Sequence, residues 1–276
     1  MILDNLTVVM SVYSKDSPLF FNQAVDSVLN QTYKAKEFII VVDGPVGNDI
    51  NAVLESVSQI ETVNIIRLSE NSGLAVTRKL AISKSSTEFV AVMDSDDICV
   101  IDRFERQICL LSEGGADVVG GWIEEFSELP GDQGIIRKTP LTHQDIYNFG
   151  KWRNPINHVT LMFKKSAYDA VGGYSEVRYT EDWEMISRML VQGIVIKCVP
   201  EVLVNVRAGD DMVIRRRKFS QIFGEFVVFR LMYNTGYLNL FHLVGNILIR
   251  VMLRIFPSKF TSSLYRNILR KGRNNI

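Results

Sequence analysis

Between residues 6 and 93 short apolar runs alternate with segments of helical periodicity, and this alternation limits the fold more than any other feature of the chain. LTVVMSVY (6–13), FIIVVDG (38–44), VNIIRL (63–68) and FVAVM (89–93) read as buried strands. Between the first two, Ser17 and Pro18 can cap and begin a helix in which Ala24, Val25, Val28 and Leu29 recur at helical spacing. Residues 48–60 and 74–83 suit two more helices. Such a sequence predicts an α/β fold with a mainly parallel sheet of the nucleotide-binding type. Ligands of these sheets gather at the C-terminal ends of the strands. Ser11 with Tyr13, Asp43, and Asp94 with Asp96 all lie at those ends.

Beyond residue 93 the order loosens. Residues 102–113 are predicted helical, 117–126 a strand, 128–140 a loop rich in Gly and Pro, and 158–165 a further strand. Residues 181–193 form an amphipathic helix ended by Gly193, and 195–207 are strand-like. A chain of 276 residues, 47% of them hydrophobic, buries one large core with or without a small appendage. The formal net charge of zero hides an asymmetry, because from residue 215 onward there are twelve basic residues against one acid, Glu225. An acidic body over 1–207 and a basic, apolar helical extension over 208–276 are implied. Cys99, Cys109 and Cys198 are odd in number and lack metal-ligand spacing, which suits a reducing compartment. Asp4 stands where a signal peptide needs basic residues, and the apolar run beside it is too short to span a bilayer, so the body is expected in the cytoplasm.

VMDSDD (92–97) places Asp94, Asp96 and Asp97 at the end of a buried strand. Held that close, three carboxylates repel one another unless a cation or cationic ligand lies among them. An EF-hand loop is excluded, because Ile98 and Cys99 stand where that pattern needs an oxygen ligand and a glycine. The residues leave open an aspartyl-phosphate phosphatase, with Asp94 as nucleophile and Asp96 as acid and base. They also leave open a divalent ion bridging carboxylate and the diphosphate of a sugar nucleotide, and a plain solvated strand end.

Taken in order, SVYSKD (11–16), SVLNQTY (27–33), VVDG (41–44), ENSGLAVTRK (70–79), VMDSDD (92–97), GGY (172–174) and TEDWEM (180–185) resemble the motifs of the family 2 inverting glycosyltransferases. The resemblance covers residues 7 to about 190. It implies a GT-A fold, a nucleoside-diphosphate sugar donor carrying UDP, and Mg²⁺ or Mn²⁺. NPINHVTLMFKKSAYDAVGGY (154–174) and MVIRRR (212–217) are similar to the subset that builds bacterial surface polysaccharide, such as O-antigen, capsule or exopolysaccharide, on a lipid-diphosphate carrier.

Carried over by position, Asp43 matches the acid that contacts the nucleotide base, although Val42 and Pro45 replace the second acid and the serine often found around it. Ser11 and Tyr13 match positions facing base and ribose. Asn71, Gly73 and Arg78 match an Asn-x-Gly and an arginine that reaches donor phosphate, with Lys79 where an asparagine frequently follows. Asp94 corresponds to the acid at the ribose and metal, Asp96 to the principal metal ligand, and Asp182 to the general base. Glu181 binds acceptor or orients that base, Trp183 packs under the acceptor sugar or in the core, and His158 has a supporting substrate role or a structural one. Arg215, Arg216 and Arg217 follow the flexible AGDDM segment and form either a phosphate clamp or a solvated charge run.

The implied activity is metal-dependent hexosyl transfer to a lipid-diphosphate-linked saccharide, with no nucleic-acid partner. A decayed sugar-nucleotide-binding or polyanion-binding scaffold is the non-enzymatic alternative. In YLNLFHLVGNILIRVMLRIF (237–256), Arg250 and Arg254 share one helical face. The segment is expected to lie along an anionic membrane, with its arginines at the headgroups, on the inner face of the cell membrane. A helical hairpin packed on the catalytic domain is the other reading.

Overall fold

The computed structural model describes residues 2–113, 115–175, 180–208 and 219–255. Its first half is a wound βαβ layer. Strands β1 (Ile2–Val12), β2 (Lys34–Val42), β3 (Val63–Arg67) and β4 (Phe89–Met93) pair in parallel in the order β3-β2-β1-β4. Helices α1 (Pro18–Leu29), α2 (Asn48–Val57) and α3 (Leu74–Lys84) make the crossovers. Strand alternation explains the two-sided core. Val8, Met10, Val12, Phe38, Ile40, Val42, Ala91 and Met93 pack with Phe21, Val25 and Leu54, while Val9, Ile39, Val41, Val90 and Val92 turn to the opposite face. Pro18 occupies the first turn of α1 as expected, but the Ser17 hydroxyl makes no capping bond, leaving the preset proline φ as the start signal.

The second half extends the same sheet with mixed pairing. It adds β5 (Ile98–Cys99), β6 (Val118–Phe126), β7 (Ile135–Arg137), β8 (Met162–Lys164) and β9 (Ile196–Arg207), continuing the order β4-β8-β6-β9-β5 with β7 on β6. Four helices accompany these strands: α4 (Arg103–Ser112), α5 (His143–Phe149), α6 (Lys165–Ala170) and α7 (Glu181–Val191). The strand expected over 158–165 is shorter, since His158–Thr160 form a 3-10 turn before β8. Side chains capture the backbone there: the Thr160 hydroxyl bonds Asn157 O at 2.7 Å, and Asn157 Nδ2 donates to Gly121 O at 2.9 Å. The 128–140 loop also holds the short β7.

Helices α8 (Phe219–Asn234) and α9 (Leu240–Ile255) follow the sheet. Val228, Phe229, Met232, Tyr237 and Leu238 join the core cluster that contains Trp183 and Met185 of α7, so these helices pack on the body. Phe229 meets Trp183 edge-on at 5.4 Å, and the Tyr237 hydroxyl donates to Tyr147 O at 2.7 Å. One expectation is corrected here. Arg250 turns inward, 3.6 Å from the Glu225 carboxylate and over the rings of Trp183 and Phe229, because that face of α9 rests on α7 and α8. It therefore does not reach outward for headgroups. The side chain of Arg254, with Arg215, Arg216 and Arg217, falls outside the described residues. Among the described residues no helix is long and apolar enough to cross a membrane.

Candidate active site

At the end of β2, Asp43 is buried and its carboxylate faces the turn leading into α3. It accepts hydrogen bonds from Ser72 N (2.7 Å), Gly73 N (3.0 Å) and Asn71 Nδ2 (3.0 Å). A carboxylate offers about four acceptor positions, so most of this one is already occupied. Asp43, Asn71 and Gly73 therefore form one braced unit. Gly73 has φ +90° at the N-cap of α3, a conformation that glycine adopts without strain. Ser11, at the end of β1, donates to the Thr77 hydroxyl on α3 at 2.8 Å, and Tyr13 stands half-exposed beside it.

The next strand end carries the acids. Arg78, buried on α3, bonds Asp94 at 2.6 Å and approaches Glu181 at 4.0 Å. Burial would raise the Asp94 pKa, but the Arg78 guanidinium holds it below the usual carboxylate range. Its neighbours lack such relief. Desolvation, then the Asp94 and Asp16 charges, push Asp96 up to about 6. Burial followed by Asp94 and Asp96 raises Asp97 well above its ordinary value, although Arg207 N donates to it at 2.9 Å. Asp16 is raised chiefly by burial and accepts the Ser95 hydroxyl at 2.8 Å. It lies within SVYSKD, yet a lone acid after a strand carried no distinguishing signal.

Behind the acids lies a cation that sequence reasoning missed. Arg103 of α4 is fully buried and donates to Val92 O at 2.9 Å and to Gln107 Oε1 at 2.9 Å. It thus holds the strand that ends in Asp94. The only available signal was its i,i+4 spacing from Gln107.

On the opposite side, the N-terminus of α7 presents Glu181 and Asp182. Asp182 accepts from Asn154 Nδ2 at 2.6 Å through one oxygen and from Trp183 N at 2.8 Å through the other. Asn154 is the second omission, although it opens the quoted NPINHV segment. Burial, then the Asp182 charge, raises the Glu181 carboxyl. His158 Nε2 lies 2.7 Å from the Tyr174 hydroxyl, and burial with the nearby Arg78 charge lowers its pKa to about 4. Tyr174 is buried, and desolvation pushes its phenol upward. Trp183 requires a correction: it is 2% exposed and its indole N–H donates to Gly150 O at 2.8 Å, so it belongs to the core and cannot lie under an acceptor sugar.

The site thus brings together Ser11, Asp43, Asn71, Gly73, Arg78 and Asp94 on one side and Glu181, Asp182 and His158 on the other. Arg78 is the point of contact between them. An acid cluster at the carboxyl ends of a wound parallel sheet, faced by a braced carboxylate, defines a nucleotide-binding α/β enzyme. Residues 7–172 match the family model described as Glycosyl transferase family 2, and the chain belongs to that family, as its motifs led us to expect. Family membership replaces the phosphatase reading of the aspartates.

Among its relatives is the amylovoran biosynthesis glycosyltransferase AmsE of Erwinia amylovora, 34% identical, with 96% of this chain and 99% of AmsE covered. Another is the UDP-Gal:alpha-D-GlcNAc-diphosphoundecaprenol beta-1,3-galactosyltransferase of Escherichia coli, 30% identical, with 96% of each chain covered. The crystal structure of S. aureus TarS 1-349 in complex with UDP-GlcNAc superposes with a TM-score of 0.65 at 17% identity, over 96% of this chain and 75% of TarS. That likeness concerns the fold, which is GT-A as expected.

Proposed function

We propose that the protein transfers a hexosyl group from a UDP-sugar to a hydroxyl of a lipid-diphosphate-linked saccharide, with inversion, during assembly of a bacterial surface polysaccharide. The observation that carries this reading is the convergence on Arg78, which contacts Asp94 at 2.6 Å and approaches Glu181 at 4.0 Å, joining the donor side to the N-terminus of α7. The names of the amylovoran and diphosphoundecaprenol relatives support the acceptor class. A carrier lipid resides in a bilayer, so the protein works peripherally, at the inner face of the cell membrane where nucleotide sugars are present.

In this mechanism Asp182 takes the proton of the acceptor hydroxyl as its oxygen bonds to the anomeric carbon and the carbon–oxygen bond to the diphosphate breaks. Asn154 and Trp183 N orient the carboxylate. Arg78 would meet the departing phosphate with the guanidinium donors that Asp94 does not take. The acid cluster fits a divalent cation: Asp94 is neutralised by Arg78, whereas Asp96 is repelled by the Asp94 and Asp16 charges. Among the described residues no three acidic, histidine or cysteine side chains form a ready cage. A Mg²⁺ or Mn²⁺ site completed by donor phosphate and water needs only one or two carboxylates. Asp96 would be its principal protein ligand, and the ion would supply charge neutralisation to the leaving diphosphate.

The test is a screen of UDP-sugars against lipid-diphosphate saccharides, read by mass spectrometry, with the anomeric configuration of the product assigned by NMR. Asp182→Asn is expected to lower turnover about a hundredfold or more while donor affinity stays near that of the parent. A retained anomeric configuration, or full turnover in Asp182→Asn, refutes the mechanism.

A further inference from the structure

Helix α9 turns its polar side chains Asn246 and Arg250 toward the body. Its inner side packs Leu243 and Ile247 against the core, and buried Asn246 donates to Lys151 O and His242 O, both at 2.8 Å. The outer side presents Leu240, Phe241, Val244, Leu248, Ile249 and Met252, with Phe241 72% exposed and Leu248 56% exposed. These positions recur at helical spacing along roughly 18 Å of surface. A continuous exposed apolar strip of this kind marks a contact surface.

Charge identifies the occupant. After Glu225 the chain contains no acidic residue, and beyond the inward-turned Arg250 it carries Arg254, Lys259, Arg266, Arg270, Lys271 and Arg273. A second copy of the chain meeting this face would set one positive segment against another. An anionic bilayer satisfies both properties, taking the apolar strip into the acyl boundary and attracting the cations to its headgroups. We infer that the outer face of α9, with Trp152 at its end, is a docking surface for an anionic lipid bilayer.

The attachment also orients the site. Phe241 meets Trp152 edge-on at 5.8 Å, and the loop bearing Trp152 is held at Lys151 O by Asn246, at Gly150 O by the Trp183 indole, and at Asn154 by its bond to Asp182. Docking through Phe241 therefore sets the Asp182 carboxylate a short loop away from the lipid surface. In its purpose this inference rests on the lipid-linked acceptor proposed above. Its test does not, because it uses vesicles without donor or acceptor.

The full chain is floated with phosphatidylcholine vesicles, with and without phosphatidylglycerol, and compared with Phe241→Ser/Leu248→Ser/Met252→Ser. The parent is expected to float with the anionic vesicles and to be released only in part by high salt. The triple variant should lose partitioning by about tenfold or more with its melting temperature maintained. Should the triple variant melt early, Phe241→Ser alone supplies the comparison. A parent that stays in the bottom fraction with anionic vesicles overturns the assignment. So does a variant that floats like the parent, or a dimeric parent that the substitutions convert to monomer without changing flotation.

Discussion

Replacing His158 by glutamine tests the electrostatics of the site through stability. The imidazole is half-buried beside Arg78, desolvation and that charge lower its pKa from 6.5 to about 4, and Nε2 bonds the Tyr174 hydroxyl at 2.7 Å. The folded value lies below the unfolded one, so the associated stability is fully present above pH 6.5 and is lost as the pH falls toward 4. Between pH 7 and 4.5 the unfolded chain gains a proton that the fold largely refuses, at a cost of about 2.5 kcal/mol. Asp96, Asp97 and Glu181 act oppositely: their carboxyls are raised in the fold, so acid favours the folded state through them. The net slope of the parent mixes both signs, but the difference between parent and variant isolates the imidazole. Glutamine keeps an amide near the position of Nε2 and does not titrate. Urea unfolding of both proteins at pH 7 and 4.5 should show the parent losing about 2.5 kcal/mol more than His158→Gln across that interval. Equal losses would mean that His158 takes its proton inside the fold, and the argument from burial would be wrong.

Asp96→Asn should weaken Mn²⁺-dependent binding of a UDP-sugar by about tenfold or more in calorimetry, while leaving metal-free donor binding unchanged. Asn154→Ala removes a 2.6 Å bond to Asp182. Because a hydrogen bond to a charged group contributes about 1.5–3 kcal/mol, turnover should fall roughly tenfold to a hundredfold with donor affinity retained in a parallel binding assay. Gly121→Ala would place a methyl group inside the Leu203 side chain on β9. Denaturant titration should show a loss of about 1–3 kcal/mol, and an unchanged midpoint would mean that the strand pair accommodates the methyl freely.

The parallel layer was legible because its strands are apolar on both faces and its crossovers keep helical spacing, so local pattern and tertiary burial agree. The acids stood out for the same reason, each terminating an apolar run. What escaped depends on long-range partners. Asn154 is an ordinary polar residue before Pro155 until α7 brings Asp182 to it, and Arg103 looks like surface charge until β4 supplies Val92 O. Trp183 shows the converse, since an indole in a motif has the same appearance whether it stacks on sugar or fills a core, and burial decided it. The 158–165 segment misled because side-chain bonds from Asn157 and Thr160 override its strand-like hydropathy.

The bracing of the β3–α3 turn by Asp43 bears on how this enzyme can be recombined with its relatives. Ser72, Gly73 and Asn71 all donate to one carboxylate, and a side chain at Gly44 would meet Asn71 N at 2.8 Å. Residues 43–44 and 70–74 therefore behave as a single exchangeable cassette despite the helix and strand between them. A chimera that imports either half alone inherits a carboxylate without its donors or donors without their carboxylate. Loss of function after such a swap, or after Asp43→Ala, would report a collapsed turn and misplaced α3 N-terminus as readily as a lost nucleotide contact. Moving both halves together is the substitution scheme under which a change in donor preference becomes interpretable.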